Sequence, residues 1–405
     1  MSALVSESAS IEITDFDVEG GGGQDNNGGI IVAPIDSISL FEPHTYPRTL
    51  CYVPAKQGEV AKAKFTPFHP LVTQQGVDLI CSGFTTRDND IWLVSYPNSG
   101  LSWTSEIVSQ VLLAEEGSTM EKCEIFEMEV LCSTSNNPSG EMDTINSIPD
   151  HVRRVFRSNA SLDYLKRWTT PKNKLVYLTR NPKDVSVSMW HKVRTNQHFS
   201  IYKGDYSHFL ENVFFPGRCV GGQWQAHTSD YWNKYCFDSL SGKEAAEENS
   251  GAEVYVISYE QLSEQPIDGV MGIAEFLEVK LTNVKAREVS QRCTFKIMQK
   301  VETDKLEEGS FNVNELAGSV YSPSSLTFRL GHIGNWMDYM SVRENQRFDL
   351  LHSIILKRIG DVGDLNVNFG DEYDKSGKKS KGAKKHEDIL EQLEATDDQS
   401  TCSIM

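Results

Sequence analysis

The sequence contains no long uncharged apolar run, so none of its 405 residues reads as part of a membrane-spanning helix, and an integral membrane protein is not expected. Paired cysteines are also missing. The eight Cys residues stand at 51, 81, 123, 132, 219, 236, 293 and 402, with no C-x-x-C spacing and no His in register. That pattern speaks against a zinc motif or a disulfide framework and fits a reducing, cytoplasmic compartment. Basic charge is in deficit: 39 Lys and Arg stand against 57 Asp and Glu, for a net charge of −18. A general nucleic-acid binder is therefore not expected, although a local basic pocket can sit within an acidic exterior. Residues 1–40 hold no Lys or Arg, seven acidic side chains and the run Gly20-Gly-Gly-Gly-Gln24, and they lack the basic and apolar regions of a signal peptide. A disordered tail is expected there.

With 39% apolar residues, the chain can bury one large α/β core, expected over 41–370. Apolar strands around 91–95, 175–180 and 253–258 are each followed by a helical pattern, which argues for parallel pairing through right-handed crossovers. Ligands would gather at the carboxyl ends of these strands. The Ser-, Glu- and Gly-rich stretch from Asp238 to Gly251 reads as a surface loop.

The most informative stretch is Ile91-Trp-Leu-Val-Ser-Tyr-Pro-Asn-Ser-Gly-Leu-Ser-Trp103, an apolar strand that breaks at Tyr96-Pro97 and restarts as a helix near Leu101. A small, glycine-containing, hydroxyl-bearing break lets backbone N–H groups and a helix N-terminus converge on a phosphate or sulfate. A Walker-type nucleotide loop would need a second Gly followed by Lys and Ser or Thr, and Leu101-Ser102-Trp103 stands there instead. Further on, Leu175-Val-Tyr-Leu-Thr-Arg180 reads as a buried strand and Asn181-Pro182 as a helix start. Arg180 and Ser188 are natural ligands for a second phosphate; the plainer alternative is a solvated strand end and a surface helix serine.

These segments, followed by Phe328-Arg-Leu-Gly-His-Ile-Gly-Asn-Trp336, stand in the order found in cytosolic sulfotransferases, which use 3′-phosphoadenosine 5′-phosphosulfate (PAPS). Weaker echoes are Gly222-Gln-Trp224 with His227 and Trp232, Tyr255-Val-Ile-Ser-Tyr259-Glu260, and Thr294-Phe295-Lys296; the resemblance covers roughly residues 65–352. It implies a three-layer, P-loop-like α/β fold with a central parallel sheet flanked by helices. It also implies transfer of a sulfuryl group from PAPS, without a metal, to the hydroxyl or amine of a small acceptor. Carried over, Asn98, Ser99, Gly100, Leu101 and Ser102 would wrap the 5′-phosphosulfate and Trp103 would stack on adenine. Arg180, Ser188, Arg329 and the backbone at Gly331 would hold the 3′-phosphate, with Tyr259 and Phe295 bordering the base. Trp103 equally heads a core stripe with Ile107, Val108, Val111 and Leu112, and Tyr259 and Phe295 equally suit core packing. Acceptor specificity is expected in the loops around 115–150, 191–217 and 301–327.

The departures concern the chemistry. Asn98 stands where the family usually has a Lys that stabilises the developing charge on the bridging oxygen, a loss of about a hundredfold to a thousandfold in rate. Asn159, in Arg157-Ser158-Asn159-Ala160-Ser161, aligns with the family's His base, whose loss costs about a hundredfold to ten-thousandfold. Three explanations follow: the chain binds PAPS without turnover, it recruits a substitute base such as His191 or His227, or the alignment near Arg157 is shifted. The favoured expectation is sulfuryl transfer with altered catalytic residues, the alternative a nucleotide-binding pseudoenzyme or a membrane-associated scaffold. Met337 and Gln346 stand where the family's dimer pattern wants Lys and Glu, so the oligomeric state is left open.

Beyond 370 a disordered tail is expected, Lys-rich and then acidic. Cys402-Ser-Ile-Met405 fits a C-a-a-X farnesylation box, and the lysines at 375, 378, 379, 381, 384 and 385 would supply the second anchor needed for peripheral membrane association. Ser403 and the acidic run from Glu387 to Asp398 oppose that reading, and Asp388–Leu393 suits a short tail helix equally well.

Overall fold

A computed structural model describes residues 49–52, 65–70, 72–115, 123–132, 138–195, 202–235, 252–307 and 328–359. The acidic N-terminal segment, the 238–251 loop and the C-terminal segment carrying the lysines and Cys402 lie outside the described residues.

Strands β1 (Thr49–Tyr52) and β2 (Phe65–Phe68) form a small antiparallel pair. The central sheet contains β3 (Ile91–Ser95), β4 (Ile125–Glu127), β5 (Val155–Ser158), β6 (Lys174–Thr179) and β7 (Glu253–Ser258), in the order β4-β5-β3-β6-β7. Every neighbouring pair is parallel. The three strands expected from the sequence are the contiguous half β3-β6-β7. One boundary moves: β6 ends at Thr179, so Arg180 is the first residue beyond the strand and not its last.

β3 is buried along its whole length, as a parallel strand covered on both faces should be. Ile91 and Leu93 pack with Ile107, Val108, Val111 and Leu112 of helix Leu101–Leu113 and with Val270 and Ile273 of helix Pro266–Phe276. Trp92 and Val94 point to the opposite layer, among Phe156, Trp168 and Tyr177, where the Trp92 ring stacks on Phe156 at 4.9 Å. The period-2 alternation of side chains therefore feeds two cores, which makes the molecule three-layered. A third cluster, including Trp190, Phe209, Phe214, Trp336 and Phe348, joins helix Pro182–Thr195 to the C-terminal helix Val342–Ile359.

At the amino edge of the sheet Asp90 precedes β3 and Arg154 precedes β5. Both are fully buried; Arg154 Nε donates to Asp90 Oδ1 at 2.7 Å and Nη2 to Oδ2 at 2.6 Å. The carboxyl edge, where the turns after β3, β5 and β6 converge, is built differently. Among the described residues no helix is long and apolar enough to cross a membrane, and no His, Cys, Asp and Glu group could hold a metal ion.

Candidate functional site

The turn after β3 is shaped by its own residues. Tyr96 is buried and its hydroxyl donates to the Gly222 carbonyl at 2.7 Å, which fixes the entry to the bend. Asn98 takes φ 64° and Gly100 φ 109°. Asn is among the few residues that accept the left-handed region readily. A Cβ on Gly100 would meet Tyr259 Cδ2 at 3.0 Å and Leu178 Cδ2 at 3.2 Å, so only glycine fits there without adjustment. Gly100 is the N-cap of helix Leu101–Leu113 and provides no side-chain cap. The amides of the first turn are thereby left for a ligand. Ser99 behaves differently from its neighbours. It is fully buried, its N–H closes the turn onto the Tyr96 carbonyl at 3.2 Å, and its hydroxyl has no hydrogen-bond partner.

A second pole forms beyond β6. Asn181 caps helix Pro182–Thr195 through Oδ1, which accepts from Lys183 N–H at 2.9 Å, and its own N–H donates to the buried Glu260 at 3.0 Å. Burial pushes the Glu260 carboxyl up to about 7. Arg180 Nη1 donates to the Asn98 carbonyl at 3.2 Å, the guanidinium lies 4.3 Å from the Tyr259 ring centroid, and its buried Nε has no partner. Segment 328–336 is fastened to the same helix: Asp184 accepts from Gly334 N–H at 2.7 Å and Trp336 N–H at 2.9 Å. One turn along stands Ser188. Burial holds the Asp184 carboxyl above its ordinary value. Burial lowers the Arg329 guanidinium, and the charge of Arg180 pushes the same way. Arg329 Nη2 donates to Asn335 Oδ1 at 2.6 Å, and the Asp184 carboxyl lies in the field of both guanidiniums, which leaves Arg180 Nε as the unfilled donor. Gly331, at φ 67°, lies so close to Phe295 that a Cβ would come within 2.3 Å of its ring.

Both poles open into one cavity of about 470 Å³. Asn98, Gly100, Leu101, Ser102 and Trp103 line it together with Arg180, Ser188, Arg329, Gly331, Tyr259 and Phe295, and the Arg180–Asn98 hydrogen bond joins the two groups. Of the residues expected to hold the nucleotide, Ser99 alone is not in the wall. Trp103 is anchored by an Nε1 hydrogen bond to the Cys293 carbonyl at 2.7 Å and meets Tyr259 edge-on at 5.1 Å.

The same cavity is lined by Asn159, at the position aligned with the family's base, and by His69, Glu127, Glu129, Arg157 and Lys192. Arg157 donates from Nε to Glu127 Oε2 at 2.9 Å and pairs with it again through Nη2. Asn159 is engaged through its side-chain nitrogen and both backbone groups. Its Nδ2 donates to the Ser95 carbonyl at 2.8 Å, its N–H to Glu129 Oε1 at 2.7 Å, and its carbonyl accepts from His227 Nε2 at 3.1 Å. His227 is buried outside the wall, with Nδ1 against the Tyr177 hydroxyl at 3.0 Å, and burial lowers its imidazole to about 4. His191 also stays out of the wall; burial, Arg329 and Arg194 bring it to about 4. The expected acceptor loops contribute Glu127 and Glu129 from the first and Lys192 and Val193 from the second, and residues 308–327 of the third lie outside the described residues. The residues from Pro67 to Pro70, and Val220, had no local signal that pointed to a site.

The sulfotransferase domain model matches residues 88–360, well over half of the chain. The chain belongs to the sulfotransferase family. Within that family it is 27% identical over 274 residues to Sulfotransferase 1B1 of Canis lupus familiaris, covering 66% of this chain and 84% of that protein. It is 25% identical over 283 residues to the amine sulfotransferase of Oryctolagus cuniculus, covering 66% and 80%. Mouse sulfotransferase SULT7A1 complexed with PAP superposes with a TM-score of 0.54 at 22% identity, over 73% of this chain and 94% of that one. Retinol dehydratase in complex with androsterone and inactive cofactor PAP gives 0.53 at 17%, over 77% and 90%. At such identities the likeness to the solved structures is one of fold, and the sulfotransferase fold agrees with the parallel sheet described above.

Proposed function

We propose that this member of the sulfotransferase family binds PAPS along the cavity and transfers its sulfuryl group to a hydroxyl or amine of a small acceptor. The observation that carries the reading is the single cavity lined both by the uncapped helix start at Leu101 and by the guanidiniums of Arg180 and Arg329. The polar atoms of the wall fit such a ligand: Arg180 Nε is buried without a partner, and Gly331 brings bare backbone to the same end. That both fold neighbours were solved with PAP supports the reading further.

When bound, PAPS supplies an activated sulfuryl group whose leaving group is the 3′,5′-bisphosphate. The chain's residues then have separable tasks. The amides of Leu101 and Ser102 face the 5′ end, and Asn98 offers an amide hydrogen bond where a charge would act more strongly. Arg180, Ser188 and Arg329 hold the 3′-phosphate, and Trp103, Tyr259 and Phe295 border the base. Held at both ends, the sulfur is presented to the pole containing Asn159, and orientation alone contributes to the rate.

A second reading, a nucleotide-binding pseudoenzyme, is favoured by one observation: the Asn159 amide is engaged with Ser95 and carries no titratable group. Calorimetric titration with adenosine 3′,5′-bisphosphate, followed by a screen of alcohols, phenols and amines with labelled PAPS, separates the two. Binding with transfer supports the enzyme, and binding without transfer supports the pseudoenzyme. Absence of binding overturns both. Activity created only by combining Asn98→Lys with Asn159→His would favour the pseudoenzyme. Peripheral membrane attachment through Cys402, outside the described residues, is a separate proposal. Mass spectrometry of the native C-terminus tests it by seeking a farnesylated, trimmed Cys402.

A further inference from the structure

The acceptor pole lacks the imidazole that the family resemblance leads one to expect, yet it is rich in titratable groups, and their surroundings rank them. His69 lines the cavity, but burial, reinforced by Lys192, lowers its imidazole to about 4, which makes it a weak base. Lys192 is a cation. Glu127 is held by two nitrogens of Arg157. Glu129 is different. It follows β4 on the short helix Met128–Leu131, and both of its hydrogen bonds to neighbouring residues fall on Oε1: one from the Ser158 hydroxyl at 2.8 Å, one from Asn159 N–H at 2.7 Å. The carboxyl is thus latched to the very residue that aligns with the family's base. Asn159 in turn donates to Ser95, where the sulfate-facing bend begins. Two hydrogen-bonded steps therefore tie Glu129 to the cradle.

We propose that Glu129 is the general base of this chain, accepting the proton of an un-ionised acceptor hydroxyl; the proposal rests on the PAPS-dependent reading above. As the acceptor oxygen bonds to sulfur, its proton passes to the Glu129 carboxylate. The bond from sulfur to the bridging phosphate oxygen breaks, and its electron pair leaves with the bisphosphate. The electrostatics suit the task. Burial first, and the charge of Glu127 second, push the Glu129 carboxyl up to about 7, near neutral pH, where a base works best. Facing it are Glu127 and the paired Arg157 from β4 and β5, His69 and Lys192 across the cavity, and the un-ionised Cys132, Tyr164 and Tyr231 behind. The arrangement also explains how a base position can hold Asn: the Asn159 backbone orients a carboxylate.

The test uses the full chain with Glu129→Gln, which keeps an oxygen for Ser158 and Asn159, and Glu129→Asp as a second variant. With labelled PAPS and phenol or a short aliphatic alcohol, Glu129→Gln is expected to lower kcat/KM by about 10²- to 10⁴-fold. With 4-nitrophenol, already ionised in mildly alkaline buffer, the loss should be under about tenfold, because no proton needs a base. The limb of the kcat/KM profile near pH 7 should vanish in the variant. Independently of activity, the infrared spectrum of the wild type minus that of Glu129→Gln should contain a protonated-carboxyl band that titrates near pH 7. Bisphosphate affinity should stay within twofold in both variants, and Glu129→Asp should retain partial transfer. Equal losses on acidic and weakly acidic acceptors, or full activity in Glu129→Gln, would overturn the assignment while leaving PAPS binding intact. Wild-type binding of the bisphosphate without transfer to any acceptor would overturn it together with the enzyme reading. Failure of the bisphosphate to bind would remove the nucleotide reading on which it stands.

Discussion

The two edges of the central sheet solve opposite problems with similar residues. At the amino edge a guanidinium and a carboxylate, Arg154 and Asp90, are both sealed from solvent and matched to each other, and Asn173 adds a hydrogen bond from Nδ2 to the Arg87 carbonyl at 2.6 Å. At the carboxyl edge the guanidinium of Arg180 is given an aromatic face and one carbonyl, while its Nε is left without a partner and Arg329 is brought into its field. A buried ion pair with completed hydrogen bonds is stable as it stands. Arg180 keeps one unfilled donor, which any anion that fills it would stabilise. The same chemical group is thus completed by the fold at one edge and, on the proposed reading, by a ligand at the other.

The sharpest way to break this comparison is to remove one partner at each edge. Asp90→Ala leaves Arg154 buried and uncompensated, so unfolding in denaturant should show a loss of about 3 to 5 kcal/mol. Bisphosphate affinity of the remaining folded protein should change by less than twofold. Arg180→Gln should do the reverse: calorimetry is expected to show an affinity lower by about 10- to 100-fold, from the 1.5 to 3 kcal/mol typical of a charged hydrogen bond, with unfolding free energy unchanged or increased. Equal effects on stability at the two sites would erase the distinction.

A third prediction concerns Glu260, whose folded-state value of about 7 lies above its ordinary 4.5. The folded protein holds this proton more tightly than the unfolded chain does. Its stabilising contribution is therefore complete below pH 4.5 and is lost as the pH rises through about 7. Glu260→Gln, which keeps an acceptor for Asn181 N–H, should flatten the stability–pH curve over that window by about 1 to 3 kcal/mol, at 1.36 kcal/mol per pKa unit. An unchanged slope would show that Glu260 is solvated. A last prediction is Gly331→Ala, where the positive φ and the Phe295 ring both oppose a Cβ: it should cost about 1 to 3 kcal/mol in denaturant unfolding and a few-fold in bisphosphate affinity.

The parts of this design that could be read from the sequence are those written locally. The Tyr96-Pro97 break, Gly100 at the helix start, and Asn181-Pro182 ahead of Ser188 are short-range signals whose geometry follows from the residues themselves. So are the apolar runs that became β3, β6 and β7. The individual carboxylates beside Asn159 were not legible for a physical reason. Glu127 and Glu129 alternate with Phe126 and Met128 in a stretch that reads as an ordinary amphipathic strand; the carboxyl of Glu129 acquires meaning only from Ser158 and Asn159, about thirty residues away. His227 shows the converse. It was named with His191 as a possible substitute base, whereas its burial against Tyr177 and the Asn159 carbonyl, a long-range fact, makes it a strut.

The clasp of Asp184 on the amides of Gly334 and Trp336 has a consequence for the order in which the protein comes into being. Asp184 is translated before residue 190, but the amides it holds, and Arg329 beside them, come well over a hundred codons later. A ribosome-bound chain stalled ahead of that point would own the turns after β3 and β6 and lack the segment that completes the cavity wall. On the proposed reading, retention of the bisphosphate by such chains would begin only after Trp336 has been made.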